Sequence, residues 1–118
     1  MPALSGLGFP RSRRLTRGAE IQKALREGKR IRARYLDVRI IASPLGHPRI
    51  GVIVPRYSRS AVDRNRLKRR LRELIRIRLL PVAPSVDVVI RARVEAYGAT
   101  FDELGAAIAH VADVLRLF

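Results

Sequence analysis

A helix between Ser60 and Pro81 constrains this chain more than any other segment. Arg64, Arg66, Lys68, Arg69, Arg70 and Arg72 fall within ten residues, interleaved with Leu67 and Leu71. At about 100° per residue, Leu67, Leu71, Leu74 and Ile75 form one apolar stripe with Leu79 at its margin. Asn65, Arg69, Arg72 and Arg76 lie opposite. The stripe asks for a core and the cations ask for a partner, so the helix must lie on the surface of a folded body. Its start is marked by Ser60-Ala61-Val62-Asp63, which has the form of a capping box, and Asp63 suits the positive end of the helix dipole. Pro81 disfavours helical dihedrals at Leu80, which predicts an end near Leu79.

This charge opposes folding. Arg64/Lys68, Arg66/Arg70, Lys68/Arg72 and Arg72/Arg76 are like-charge pairs at four-residue spacing, and Arg66/Arg69 and Arg69/Arg72 at three-residue spacing. At roughly 0.2 to 0.5 kcal/mol each, they cost about 1 to 3 kcal/mol together. Glu73, within reach of Arg69, Arg70 or Arg76, offsets only part of that. A solvated helix face ordinarily mixes both signs, and this one is nearly single-signed, so a dense polyanion is the expected source of counter-charge.

The rest of the composition narrows the partner. Net charge is +15, but residues 1–79 hold 22 Lys or Arg against 5 Asp or Glu, whereas residues 80–118 hold 3 against 5. A generically basic protein would not change sign at residue 80, so the partner is expected on the first two thirds of the chain. Nucleic acid is the leading candidate, and an anionic membrane surface is the weaker one. No apolar run approaches 18 residues and the N-terminus has no apolar signal core, so neither membrane spanning nor secretion is expected. The absence of cysteine excludes disulfides and thiolate metal sites and fits a cytoplasmic protein.

Residues 1–13 read as a flexible basic arm, and residues 14–118 as one domain with a modest core. A short helix begins at Thr16 or Gly18 and reaches about Glu27, with Gly28 placed for a left-handed C-terminal cap. Alternation at Leu36, Val38, Ile40 and Ala42 marks a strand with Tyr35, Asp37 and Arg39 on its other face. Ile50, Val52 and Val54 mark a second strand, stopped by Pro55. The Val/Ile-rich run from Val86 to Arg93 suggests a central strand. Thr100-Phe101-Asp102-Glu103 repeats the capping-box form and opens a final helix bearing Leu104, Ala107, Ile108, Val111 and Leu115 on one face. The expected fold class is α+β, an α/β sandwich with one mixed sheet of about four strands and three helices.

Hydrolytic chemistry is poorly represented. No two carboxylates sit at a spacing that suggests a shared metal, His47 and His110 fit ordinary surface or packing roles, and there is no phosphate-binding loop or nucleophile elbow.

Arg64-Asn65-Arg66-Leu67-Lys68-Arg69, followed by Arg72-Glu73 and preceded by Ala61-Val62, closely resembles the signature of the bacterial ribonuclease P protein subunit. Arg14-Leu15, Gly28-Lys29-Arg30, Arg49-Ile50-Gly51, the run Asp87 to Arg93, and Thr100 to Leu104 fall in the order of that family, so the resemblance runs from about Arg14 to the C-terminus. It implies a protein that binds the catalytic RNA of ribonuclease P and promotes endonucleolytic removal of the 5′ leader from precursor tRNA. The chemistry would belong to the RNA and to Mg²⁺ held mainly by it, with no catalytic residue and no metal ligand on the protein. By resemblance, Arg64, Asn65, Arg66, Lys68, Arg69, Arg72 and Arg76 contact the RNA subunit. A cleft between the first helix and the sheet would hold the leader near Ile21, Leu25, Arg34, Tyr35, Leu36, Arg39, Arg56 and Tyr57.

The resemblance also implies a left-handed strand-helix-strand crossover around the basic helix, against the generic preference for right-handed ones. The chain departs from the family in having Ile21 and Leu25 where aromatic side chains are usual, Tyr57 in place of a lysine and Pro55 in place of a serine. The partners implied are the catalytic RNA and precursor tRNA in the cytoplasm, without a membrane or DNA. The alternative function is that of a ribosomal or general RNA-binding protein of similar fold with no processing role.

Overall fold

The structure is a computed structural model, and it describes residues 9–118. Four strands, β1 (Lys29–Ala33), β2 (Leu36–Ala42), β3 (Arg49–Ile53) and β4 (Val86–Ala92), form one sheet in the order β1-β2-β4-β3. The β1–β2 and β2–β4 pairs are antiparallel and the β3–β4 pair is parallel. Three helices, α1 (Gly18–Glu27), α2 (Ala61–Leu74) and α3 (Phe101–Leu115), pack on it, with 3-10 turns at Arg11–Arg13 and Val94–Gly98. This is the α+β sandwich that the periodicities predict.

Alternation sorts the strand residues onto two faces. On one, Leu36, Val38, Ile40, Ile50, Val88 and Ile90 meet the stripe of α2 and the apolar face of α3 in the main core. On the other, Leu15, Ala24 and Val89, with half-buried Ile21, Leu25, Ile41 and Ile53, form a smaller cluster beneath α1. The two long helices therefore share one face of the sheet, and α1 has the other to itself.

Strand β1 escapes the periodic reading because it is short, lies at an edge, and sets Lys29, Arg30 and Arg32 around only two buried residues, Ile31 and Ala33. Gly28 is not a left-handed cap. Its backbone is extended (φ −70°, ψ 151°), with its N–H donating to the Ala24 carbonyl at 2.8 Å. What requires glycine is space, because a Cβ would collide with the Ala24 carbonyl oxygen and come 3.1 Å from that of Ile40.

Tyr35 does not continue the alternation of β2 either. It occupies, at φ 70°, the second position of a two-residue turn between paired Ala33 and Leu36. The turn directs its ring to the core side, where the hydroxyl donates to Glu103 Oε2 at 3.1 Å. Glu103 completes a reciprocal capping box with Thr100. Its carboxyl is held below the usual range first by the Thr100 amide and then by Tyr35.

The end of α2 differs from expectation in detail. The α-helical bonds stop at Leu74 and a π turn follows over Ile75–Leu79, closed by the Leu80 N–H on the Ile75 carbonyl at 2.9 Å. Leu80 remains helical (φ −55°, ψ −41°) although Pro81 follows it. An i→i+5 turn rotates less per residue than an α-turn. Leu79 is thereby brought from the margin of the stripe to complete burial.

Residues 1–8 of the expected arm lie outside the described residues. The remainder is packed on the edge of β3: Phe9 is 6% exposed, and its carbonyl accepts from Arg14 Nε and Nη2 at 3.0 and 2.7 Å. Arg14 bridges in parallel to Ile50, and the Leu15 N–H donates to the Ile50 carbonyl. Gly51 permits this approach, since a Cβ there would lie 2.9 Å from the Leu15 carbonyl oxygen.

A buried ion network joins α1 to the sheet. Arg49, 8% exposed, donates to both oxygens of its cross-strand neighbour Asp87, 4% exposed, at 2.9 and 2.7 Å. It also donates to both oxygens of Glu20 on α1, at 3.2 and 2.9 Å. The guanidinium fork reaches both oxygens of two carboxylates at once, four bonds that the three donors of a lysine could not supply. Arg49 lowers the pKa of Glu20, chiefly through the hydrogen bond.

Two outcomes follow from this arrangement. Gly28→Asn is expected to destabilise the protein as much as Gly28→Ala, by about 1–3 kcal/mol, since the obstacle is steric; a midpoint in denaturant unmoved by asparagine would restore the left-handed cap. For Glu20, the folded pKa is the lower one, so its stabilisation is present above the unfolded value of about 4.3 and disappears as pH falls through the folded value. Thermal midpoints of wild type and Glu20→Gln should therefore differ near neutral pH and converge in acid. A gap independent of pH would show that the Glu20 charge contributes nothing.

Candidate nucleic-acid interface

Local chemistry begins α2 where the sequence marks it. The Ser60 hydroxyl accepts from the Asp63 N–H at 3.0 Å, and Leu67, Leu71, Leu74 and Ile75 are buried beneath the helix. With these side chains committed to the core, the cations can only project outward and to the flanks. Lys68 and Arg72 border the stripe toward α1, Arg66 and Arg70 border it toward Val94–Gly98, and Asn65 and Arg69 lie between.

A shallow hollow of about 510 Å³ runs along the outer face, lined by Val62, Asn65, Lys68, Arg69 and Arg72. Val62, 66% exposed, gives it an apolar patch beside the cations, of a kind suited to a sugar or a base edge. A second hollow of about 200 Å³ opens toward α1. There Phe9, Leu15, Ile21 and Ile50 supply apolar walls, and Arg14, Lys68 and Arg72 supply charge. The structure thus brings Ile21, from the expected leader set, beside two residues of the expected RNA-contacting set. The Lys68 pKa is lowered, first by partial burial and then by Arg72 and Arg64. A bound anion would relieve that repulsion.

Two residues of the expected RNA-contacting set have intramolecular work. Arg64 donates through Nε to the Val54 carbonyl at 2.8 Å, tying the first turn of α2 to the end of β3. Arg76 is paired with Glu73, Nε to Oε1 and Nη2 to Oε2 at 2.9 Å each, which settles which cation Glu73 reaches.

The expected leader set divides between the faces of the sheet. Ile21 and Leu25 on α1 and half-buried Arg39 on β2 share the α1 face. Alternation adds Arg30 and Arg91, because Arg30 is the cross-strand partner of Arg39 and Arg91 that of Asp37. Recognising β1 as a strand would have exposed Arg30. Leu36 has no accessible surface and cannot touch a ligand, because it alternates inward with Val38 and Ile40. Tyr35 is turned toward α3 by its left-handed backbone, and Arg34 stands over its ring at 4.8 Å. Arg56 and Tyr57 lie in the loop before α2, Arg56 donating to the Arg59 carbonyl and the Tyr57 hydroxyl to that of Ala92.

Among the described residues no group of three His, Cys, Asp or Glu side chains converges to hold a metal ion, and no helix is long and apolar enough to cross a membrane. Several carboxylates are already engaged: Glu20 and Asp87 with Arg49, Asp37 with Arg30, and Glu103 with Thr100 and Tyr35.

A family model described as Ribonuclease P matches residues 9–116. The chain is 36% identical over 100 residues to the ribonuclease P protein component of Acidothermus cellulolyticus, covering 83% of each chain. It is 39% identical over 92 residues to that of Methylococcus capsulatus, covering 77% of this chain and 71% of the relative. In fold it matches the RNase P protein of Staphylococcus aureus with a TM-score of 0.79 at 24% identity, over 90% of this chain and 97% of the other. Sequence likeness along almost all of the described residues, carried on the same sheet-and-helix frame, establishes that this chain belongs to the ribonuclease P protein family.

Proposed function

We infer that this chain is the protein subunit of ribonuclease P and works in 5′ maturation of tRNA, as part of an endonuclease built from RNA and protein. The observation that carries this reading, within the family, is the single-signed flank of α2, held at the surface by a stripe buried beneath it. Arg66, Lys68, Arg69 and Arg72 take the catalytic RNA as their counter-charge, the guanidiniums gripping phosphates, and neutral Asn65 both donates and accepts beside them. Neutralised phosphates let RNA segments approach each other, so the protein reduces the Mg²⁺ needed for the active RNA fold. On this reading Mg²⁺ is held mainly by the RNA.

The 5′ leader of precursor tRNA is assigned to the α1 face of the sheet, against Ile21, Leu25 and Arg39, with Arg30 and Arg91 near its phosphates. Aliphatic walls there replace aromatic stacking, worth roughly 1–3 kcal/mol per base elsewhere, so leader affinity leans on cations. The reading places the complex in the cytoplasm.

Added to the catalytic RNA at low Mg²⁺, the purified protein should restore leader cleavage that the RNA alone performs poorly. Cleavage by rigorously RNA-free protein, or no effect on the ribozyme, would overturn the reading. Arg69→Ala with Arg72→Ala should weaken RNA binding and reduce its salt slope by up to about two phosphate equivalents, with folding unharmed or slightly improved. Should the double variant unfold while affinity per folded molecule stays constant, those arginines are structural.

A further inference from the structure

On the flank of α2 away from α1, the chain builds a corner that the basic signature does not describe. The loop preceding the helix places two consecutive non-glycine residues, Tyr57 and Ser58, in the left-handed region at φ 48° and 67°. Such a backbone persists only where its surroundings hold it. Here the Tyr97 hydroxyl donates to the Pro55 carbonyl at 2.7 Å, the Tyr57 hydroxyl donates to the Ala92 carbonyl at 3.2 Å, and the two rings meet edge to face at 6.4 Å. The Arg59 N–H and the Arg56 side chain close the loop on each other's residue, at 2.8 and 3.2 Å.

This bracing sets an exposed arginine over Tyr97. The Arg59 guanidinium lies 5.1 Å from the centroid of the Tyr97 ring, beside a hollow of about 110 Å³ that Arg66, Arg70 and Asp63 also line. Among the described residues, no carboxylate lies within ion-pair distance of Arg59, Arg66 or Arg70. A guanidinium seated on an aromatic ring is planar and already ordered, so a base can stack on it at small entropic cost. The two neighbouring cations suit the phosphate, and the Asp63 carboxylate suits a donor such as a ribose 2′-hydroxyl.

We propose that Arg59, stacked on Tyr97 and flanked by Arg66 and Arg70, forms a contact for one unpaired ribonucleotide of the RNA partner, extending the interface of α2 onto the Val94–Gly98 turn. The proposal rests on the reading that α2 docks on the catalytic RNA, and it adds a site on the flank opposite to Lys68 and Arg72. An acidic peptide would satisfy the cations but would leave the stacking platform and the Asp63 acceptor unused.

The test measures affinity for the catalytic RNA, and its salt slope, for Arg59→Ala and Arg59→Lys, with the Arg69→Ala/Arg72→Ala double variant as a reference on another part of the helix. Arg59→Ala should weaken binding roughly tenfold and lower the salt slope by about one. Arg59→Lys should keep the slope yet lose most of the affinity, because lysine keeps the charge without the planar face. Tyr97→Leu should cost little beyond Arg59→Ala when the two are combined, because both remove the same stack. If both Arg59 variants bind like wild type while the reference variant is impaired, the corner is not an RNA contact and the reading of α2 stands. If the reference variant also binds normally, that reading fails and takes the proposal with it. Should Arg59→Ala not fold, the lysine variant decides: wild-type affinity refutes the stack, and lost affinity at an unchanged slope supports it.

Discussion

Everything that makes α2 usable depends on the burial of Leu67, Leu71, Leu74, Ile75 and Leu79 between the sheet and α3. Each fully buried aliphatic side chain contributes roughly 1.5–3 kcal/mol, which exceeds the repulsion among the cations above them. The π turn belongs to the same anchoring, because it returns Leu79 to the core where a regular α-helix would have left it at the edge. With the stripe fixed, the direction of every charged side chain on the helix follows from its position.

Charge is handled in two ways in this molecule. Buried Arg49 takes Asp87 and Glu20, and nearer the surface Arg30 and Arg93 approach Asp37 and Arg116 pairs with Asp113. Most of the flank cations of α2 are left without such partners, since Glu73 is paired with Arg76 and Asp63 sits at the helix start. The scarcity of acids in the first 79 residues thus becomes a spatial arrangement in which most of the outer face of α2 is left without counter-charge. The buried Arg49 network is as much a part of the site as the exposed arginines, because Glu20 fixes where α1 and its Ile21 stand relative to α2.

Both faces of α2 were legible from spacing because an amphipathic helix encodes them in one dimension. The stripe of α2, the caps at Ser60 and Thr100, and the central position of β4 needed only local rules. What was misplaced depended on neighbours. Tyr35 read as part of a strand because alternation cannot reveal a positive φ in a turn, and that turn moved the ring to the other face of the sheet. Leu36 was drawn into the ligand set by resemblance although its own inward alternation argued for burial. The shelf formed by Arg59 and Tyr97 brings together residues 38 positions apart, and no periodicity links them.

The sequence alone determined that one helix would be apolar beneath and cationic above and that the sheet would be flanked by helices, and it set the expectation of a polyanionic partner. These are consequences of residue order read at periods of two and 3.6. Tertiary structure decided the rest: which sheet face received α1, that Gly28 and Gly51 serve close approach, that Arg49 bridges two carboxylates, and that Arg59 rests on a tyrosine. Those outcomes are set by distances between segments far apart in the chain, and a contact of that kind exists only after folding has brought both halves together.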